Sequence, residues 1–213
     1  MNKTKKLAIV FIALEALIYI FYLAADLGFN FADSLRLKFI SICLCLVFSV
    51  VFTAYGGEKL ITAAMAFTLF ADYFLLLSNS NYALGVGLFC VVQAIYFYLL
   101  YREEKRAFLT LRIALLLAAL ILLYWLNMLT GLNALVALYF TSFVCNVIQS
   151  FGGENRLFCI GLALFLCCDI CVGVFNLPQL SGTQAYSFAT VGMWLFYLPA
   201  QVLIVLSGRR CEP

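Results

Sequence analysis

The feature that most constrains this chain is a succession of long apolar runs with almost nothing between them. Eight stretches of 18 to 23 residues stand out: Leu7–Leu27, Leu37–Tyr55, Leu60–Ser78, Tyr82–Tyr101, Phe108–Trp125, Leu132–Phe151, Leu157–Phe175 and Ala185–Ser207. Each is long enough to cross a hydrocarbon core about 30 Å thick as a helix. Inside lipid the backbone N–H and C=O groups find no water, so a spanning segment must satisfy them itself, and a helix does. The joints are short: Gly56-Gly57, Asn79-Ser80-Asn81, the charged loop Arg102–Arg106, Gly152-Gly153-Glu154, and Asn176–Gln184 with Pro178, Ser181 and Gly182. With 66% of residues hydrophobic and 11% charged, no stretch remains for a soluble domain. The expected fold is all-α, a polytopic membrane bundle of eight transmembrane helices forming a single transmembrane domain over residues 1–213.

The basic residues are sorted by side. With the N-terminus in the cytoplasm, the inner set is Lys3, Lys5, Lys6, Lys59, Arg102, Lys105, Arg106, Arg112, Arg156, Arg209 and Arg210, eleven of the 13 basic residues. Only Arg36 and Lys38 fall outside. This asymmetry predicts a multi-pass protein of the plasma (inner) membrane with both termini cytoplasmic. The first run follows Lys6 without a small-residue cleavage site and is long enough to span, so it is expected to stay as the first helix. The charges form no patch for nucleic acid, and the bilayer is the expected surrounding partner.

The chain has no histidine. This excludes His-ligated zinc or haem and the Ser-His-Asp and Cys-His kinds of catalysis. No metal or other cofactor is expected, and any acid–base chemistry must come from Asp, Glu, Lys, Tyr or Cys. Eight of the nine cysteines lie within the runs, where thiols pack as small hydrophobes. Cys168 and Cys171 form a C-x-x-C deep in a helix, away from the helix N-terminus that redox pairs use.

Two runs carry an acid at matched depth. Asp169 lies thirteen residues past Arg156, and Asp72 thirteen past Lys59, which places each roughly 20 Å along its helix. An ionised acid there costs at least about 2.5–3.5 kcal/mol on an insertion scale, so such residues are functional candidates by default. Each acid-bearing run is followed by one with a single deep glutamine, Gln93 or Gln201, with an aromatic four positions earlier, Phe89 or Tyr197. The order suggests two four-helix halves in parallel orientation, as in some transporters. On the sixth run Tyr139, Ser142, Asn146 and Gln149 share one helical face, which suits a polar cavity or interhelical hydrogen bonds. Asp72 and Asp169 are expected to face each other across a cavity that also receives Gln93, Gln201 and this stripe. Glu15 suits a hydrogen-bonded structural acid. Lys38 suits either a snorkelling lysine or a contact for a lipid phosphate.

These residues carry a resemblance. LRLKFISICLCL around Lys38, LFADYFLLL around Asp72, GLFCVVQAIYFYL around Gln93, GLALFLCCDICVG around Asp169 and YLPAQVLI around Gln201 resemble the YhhN-type lysoplasmalogenase family of eight-span membrane proteins. That family's pattern has Lys-Pro in the second span, Gly-Asp in the third, His or Gln before Tyr in the fourth, Ser-Asp in the seventh and a late Gln or His in the eighth. Phe39, Ala71 and Cys168 depart from it. The resemblance implies hydrolysis of the vinyl ether bond of a lysophospholipid substrate, lysoplasmalogen, to a fatty aldehyde and a glycerophospho-ethanolamine or -choline. It implies Asp72 and Asp169 as catalytic acids, and Lys38, Gln93, Tyr96, Tyr139, Asn146 and Gln201 as substrate-binding residues.

Cleaving a vinyl ether needs no nucleophile and no oxyanion hole. A proton goes to the β-carbon, water adds to the resulting oxocarbenium ion, and the hemiacetal collapses. One group must donate a proton near neutral pH and one anion must steady the cation and deprotonate water, which two intramembrane carboxyls can do. The same pair equally suits a proton-coupled transporter or lipid flippase, or a silent lipid-binding homologue.

Overall fold

Each apolar run forms a helix. The computed structural model describes residues 3–26, 34–78, 81–104 and 108–209. Asn79 and Ser80 of the first polar turn, Lys105, Arg106 and Arg210 of the inner charge set, and Cys211 lie outside the described residues. In chain order the helices are α1 (Lys3–Asp26), α2 (Ser34–Ala54), α3 (Lys59–Asp72), α4 (Tyr82–Glu104), α5 (Leu109–Trp125), α6 (Gly131–Ser150), α7 (Arg156–Phe175) and α8 (Gln184–Ser207). A π-helical segment, Tyr73–Ser78, extends α3, and a 3₁₀ turn, Pro178–Leu180, precedes α8. Among the described residues, seven helices are long and apolar enough to cross a membrane. The remaining helix, α5, has 17 residues, about 25 Å, at the short end of what spans a bilayer. The chain is thus an all-α, integral multi-pass membrane protein. Thr130 and Thr183 start α6 and α8 by accepting hydrogen bonds from Asn133 N and Tyr186 N, which satisfies one of the four free donors at each helix start.

The helices divide into two compact units. The first holds α1, α2, the opening turn of α3, α7 and α8. Its most extensive pairing is α7 with α8. A Cβ on Gly161 of α7 would lie 2.9 Å from Ile204 Cγ1 and 3.2 Å from the Ala200 carbonyl oxygen, so this approach needs glycine. On α8, Pro199 has no N–H to offer the carbonyl of Leu195 one turn earlier. Tyr19 of α1 donates its hydroxyl to that oxygen at 3.2 Å, and Tyr22 donates to the adjacent Trp194 carbonyl at 2.9 Å. The proline therefore supplies an acceptor on which α1 docks. Earlier in α1, Phe11 stacks on Phe48 of α2 at 4.8 Å and meets Phe52 edge-on at 6.3 Å.

The second unit holds the rest of α3, the π segment, and α4, α5 and α6. Helix α6 is central, packing on both α4 and α5. The π segment lies on α4. There Leu75 occupies the space over Gly85, where a Cβ would come within 2.6 Å of Leu75 Cγ.

A four-helix grouping is therefore present, but its members differ from the succession suggested by the acid-then-glutamine order. Helices α1 and α2 group with α7 and α8 because their aromatic and hydroxyl contacts are to one another and to α8.

Candidate functional site

In the second unit, Asp72 is the last residue of α3 before the backbone widens into the π segment. Single-turn π segments recur at functional positions, because the extra residue per turn re-aims the side chains around it. Asp72 is 4% exposed, deep in an otherwise apolar run. Thr68 lies one turn earlier on the same face, fully buried, and its hydroxyl has no hydrogen-bond partner among the described residues. Sequence reasoning passed over Thr68; its four-residue spacing from the acid was the available signal.

The α6 stripe points into this unit. Asn146 donates its amide to both the side-chain and backbone oxygens of Gln93, each at 2.9 Å. Two of the expected binding residues, from α4 and α6, are thus brought together. Their partner is one the sequence reading counted only as a cytoplasmic charge. Arg112, the fourth residue of α5, donates to Asn146 Oδ1 at 2.8 Å, Gln149 Oε1 at 3.1 Å and the Ser142 carbonyl at 3.2 Å. Its guanidinium carbon lies 4.4 Å from the Phe97 ring centre. A basic residue inside a helix that is otherwise apolar was the signal for it. A cavity of about 300 Å³ opens beside this network, with Gln93, Arg112, Tyr139 and Ser142 in its lining. Tyr139 is held there by ring contacts with Phe89 and Phe143, at 5.8 and 6.0 Å. Tyr96 is fully buried one turn beyond Gln93.

In the first unit, Lys38 is 5% exposed. Its ammonium does not snorkel to the surface; it lies 4.5 Å from the Trp194 ring centre and 5.3 Å from that of Tyr22. A desolvated cation on an aromatic face gains about 2 kcal/mol or more. Nothing in the linear sequence pairs Lys38 with Trp194. One turn further along α2, Ser41 donates to the Glu15 carboxylate, and the Cys45 thiol lies 3.4 Å from it, so Glu15 is a buried, hydrogen-bonded acid as expected. Asp169 is half-buried at the margin of the inward face of α7, next to buried Cys168. Gln201 of α8 is completely buried, and neither end of its amide has a hydrogen-bond partner among the described residues. Leaving such a group unsatisfied costs about 1–3 kcal/mol, a cost that functional positions tolerate. The cysteines described are all free thiols, in keeping with a packing role.

Asp72 and Asp169 belong to different compact units. Among known proteins, the model of the YhhN family matches residues 34–208, which include every site residue expected from the sequence. No curated protein and no solved structure matches the chain.

Proposed function

The chain belongs to the YhhN family, and from that membership we propose that it is a membrane hydrolase that cleaves the vinyl ether bond of lysoplasmalogen. The observation that carries the reading is the burial of Asp72 at the α-to-π junction of a membrane helix, within the family-matched span. A carboxyl withdrawn from water in an apolar segment suits proton transfer to carbon better than it suits a surface role. Asp72 and Asp169 are the catalytic acids of this reading: a carboxyl gives its proton to the β-carbon of the vinyl ether, and a carboxylate takes a proton from the water that adds to the oxocarbenium ion. Collapse of the hemiacetal carries its O–H proton to the leaving glycerol oxygen, breaks the C–O bond and releases the aldehyde. Lys38 meets the charged headgroup, while Gln93, Tyr96, Tyr139, Asn146 and Gln201 orient the polar end of the substrate.

The deciding experiment incubates the purified protein in detergent with a lysoplasmalogen and measures free aldehyde. Aldehyde release above the rate of a heat-treated control is the expected result; no release at any enzyme concentration removes the hydrolase reading.

The charge asymmetry further supports a topology with both termini on the cytoplasmic side of the plasma membrane. Reporter fusions after Arg210 and at Ser181 are expected to report opposite sides. The same side for both overturns this topology.

A further inference from the structure

Lys38 is the fifth residue of α2, about 6 Å from the start of the helix. A lysine so near the end of a membrane helix ordinarily carries its ammonium out to the headgroups on its flexible four-carbon stem. Here the side chain is buried instead, and the ammonium lies against rings from two other helices. The ring centre of Trp194 on α8 is 4.5 Å from Lys38 Nζ, and that of Tyr22 on α1 is 5.3 Å away. The rings are themselves fixed. The Tyr22 hydroxyl donates to the Trp194 backbone carbonyl at 2.9 Å, which ties the two ring-bearing helices together. Tyr19 meets Tyr22 edge-on at 5.2 Å, and Tyr197 meets Trp194 edge-on at 5.9 Å. Tyr22 is fully buried and lies before residues 34–208, on a helix that the family match does not include.

We propose that Tyr22 and Trp194 are positioning residues, a clamp that holds the Lys38 ammonium inward to meet the phosphate of a single-chain phospholipid. The inference rests on the headgroup role given to Lys38 above. The face of an aromatic ring attracts a cation through its quadrupole. Two faces on separate helices restrict a long, flexible side chain to one place. They set in advance the point at which a headgroup oxygen meets the ammonium, so less ordering is left for binding to supply. The constraint acts whatever other group the ammonium touches. It also gives α1 a part in the site, because the ring of Tyr22 comes to Lys38 from a helix fastened to α8 by the Tyr19 and Tyr22 hydroxyls.

The test uses the full chain in neutral detergent and two readouts that involve no turnover. The chain has two tryptophans. Trp125, 79% exposed at the end of α5, is replaced by Phe so that emission comes from Trp194 alone. Lys38→Met keeps most of the side chain and removes the charge, and it is expected to change the yield or wavelength of that emission. Equal emission places the ammonium away from the indole and overturns the clamp. The second readout is affinity for an ester-linked lysophosphatidylethanolamine, which lacks the vinyl ether, against the monoacylglycerol of the same chain length. Trp194→Leu and Tyr22→Leu are each expected to weaken lysophosphatidylethanolamine binding about three- to thirtyfold, the worth of one cation–π contact, and to leave monoacylglycerol binding unchanged. Tyr22→Phe keeps a ring face and retains nearly all of the affinity; Trp194→Phe, a poorer ring, retains part. In the Lys38→Met background the same substitutions are expected to have no further effect, because the rings then have no cation to hold. Equal losses with and without Lys38, or equal losses for both lipids, show a merely structural role and overturn the proposal. Where a Leu variant does not elute as a folded species, the smaller loss in Trp194→Phe carries the same cycle. Lysophosphatidylethanolamine that binds the wild type no better than monoacylglycerol also overturns it. Failure to release aldehyde, with the binding cycle as expected, removes the hydrolase reading and leaves the clamp standing.

Discussion

Asp72→Asn and Asp169→Asn are each expected to lower kcat on lysoplasmalogen by about 10²–10⁴-fold, the usual worth of general acid–base help. The amide has nearly the same shape as the acid, so packing around the buried position of Asp72 is preserved. It can neither give up a proton to carbon nor bear the negative charge that meets an oxocarbenium ion. Both roles arise on the way to the transition state, so their loss should fall on kcat with KM little changed. Lys38→Ala is the contrasting variant. A headgroup is charged in the ground state as in the transition state, so removal of the Lys38 ammonium from beneath Trp194 and Tyr22 should raise KM. Steady-state kinetics of the three variants on one substrate checks this. Full activity in either Asn variant sinks the catalytic assignment and favours a transporter that uses the same acids as a proton relay. A collapse of kcat with constant KM in Lys38→Ala places Lys38 in the chemistry.

The second large effect is on stability. Asn146→Leu removes one acceptor of Arg112 and both bonds to Gln93 while nearly conserving volume. The Gln93 side chain then has neither end engaged, and the guanidinium loses its shortest bond. Leaving buried polar groups unsatisfied costs about 1–3 kcal/mol each and more beside a charge, so a loss of about 2–5 kcal/mol is expected. Asn146→Asp should lose less, since it keeps and strengthens the contact to Arg112 while giving up only the donation to Gln93. Thermal unfolding of the detergent-solubilised proteins should therefore rank wild type, then Asn146→Asp, then Asn146→Leu. An Asn146→Leu protein that melts with the wild type would show that the network does not hold α4, α5 and α6 together.

Much of this molecule was legible in one dimension. The eight helices fall within a few residues of the apolar runs, because in lipid the backbone can only bond to itself along a continuous helix. Asp72, Gln93, Asn146 and Gln201 could be singled out for the same reason: a polar side chain in such a run is costly wherever its helix packs. The spacing of Tyr139, Ser142, Asn146 and Gln149 also showed that they share a face, since helical periodicity is local.

The choice of partners was decided only by the tertiary structure. Arg112 read as one more inner charge until α6 brought Asn146 and Gln149 to it from more than thirty residues away. Lys38 read as a snorkelling lysine or a contact for a lipid phosphate, and only the packing of α8 laid Trp194 against it. The carbonyl freed by Pro199 was foreseeable from proline chemistry, but that Tyr19 of α1 would take it was not. The grouping of α1 and α2 with α7 and α8 followed from such pairings rather than from the order of acids and glutamines along the chain. Helix formation in a membrane depends on each segment alone, and so it is written locally. Which hydrogen-bonding or aromatic group meets which depends on how segments far apart in sequence rotate and pack, and no local pattern encodes that.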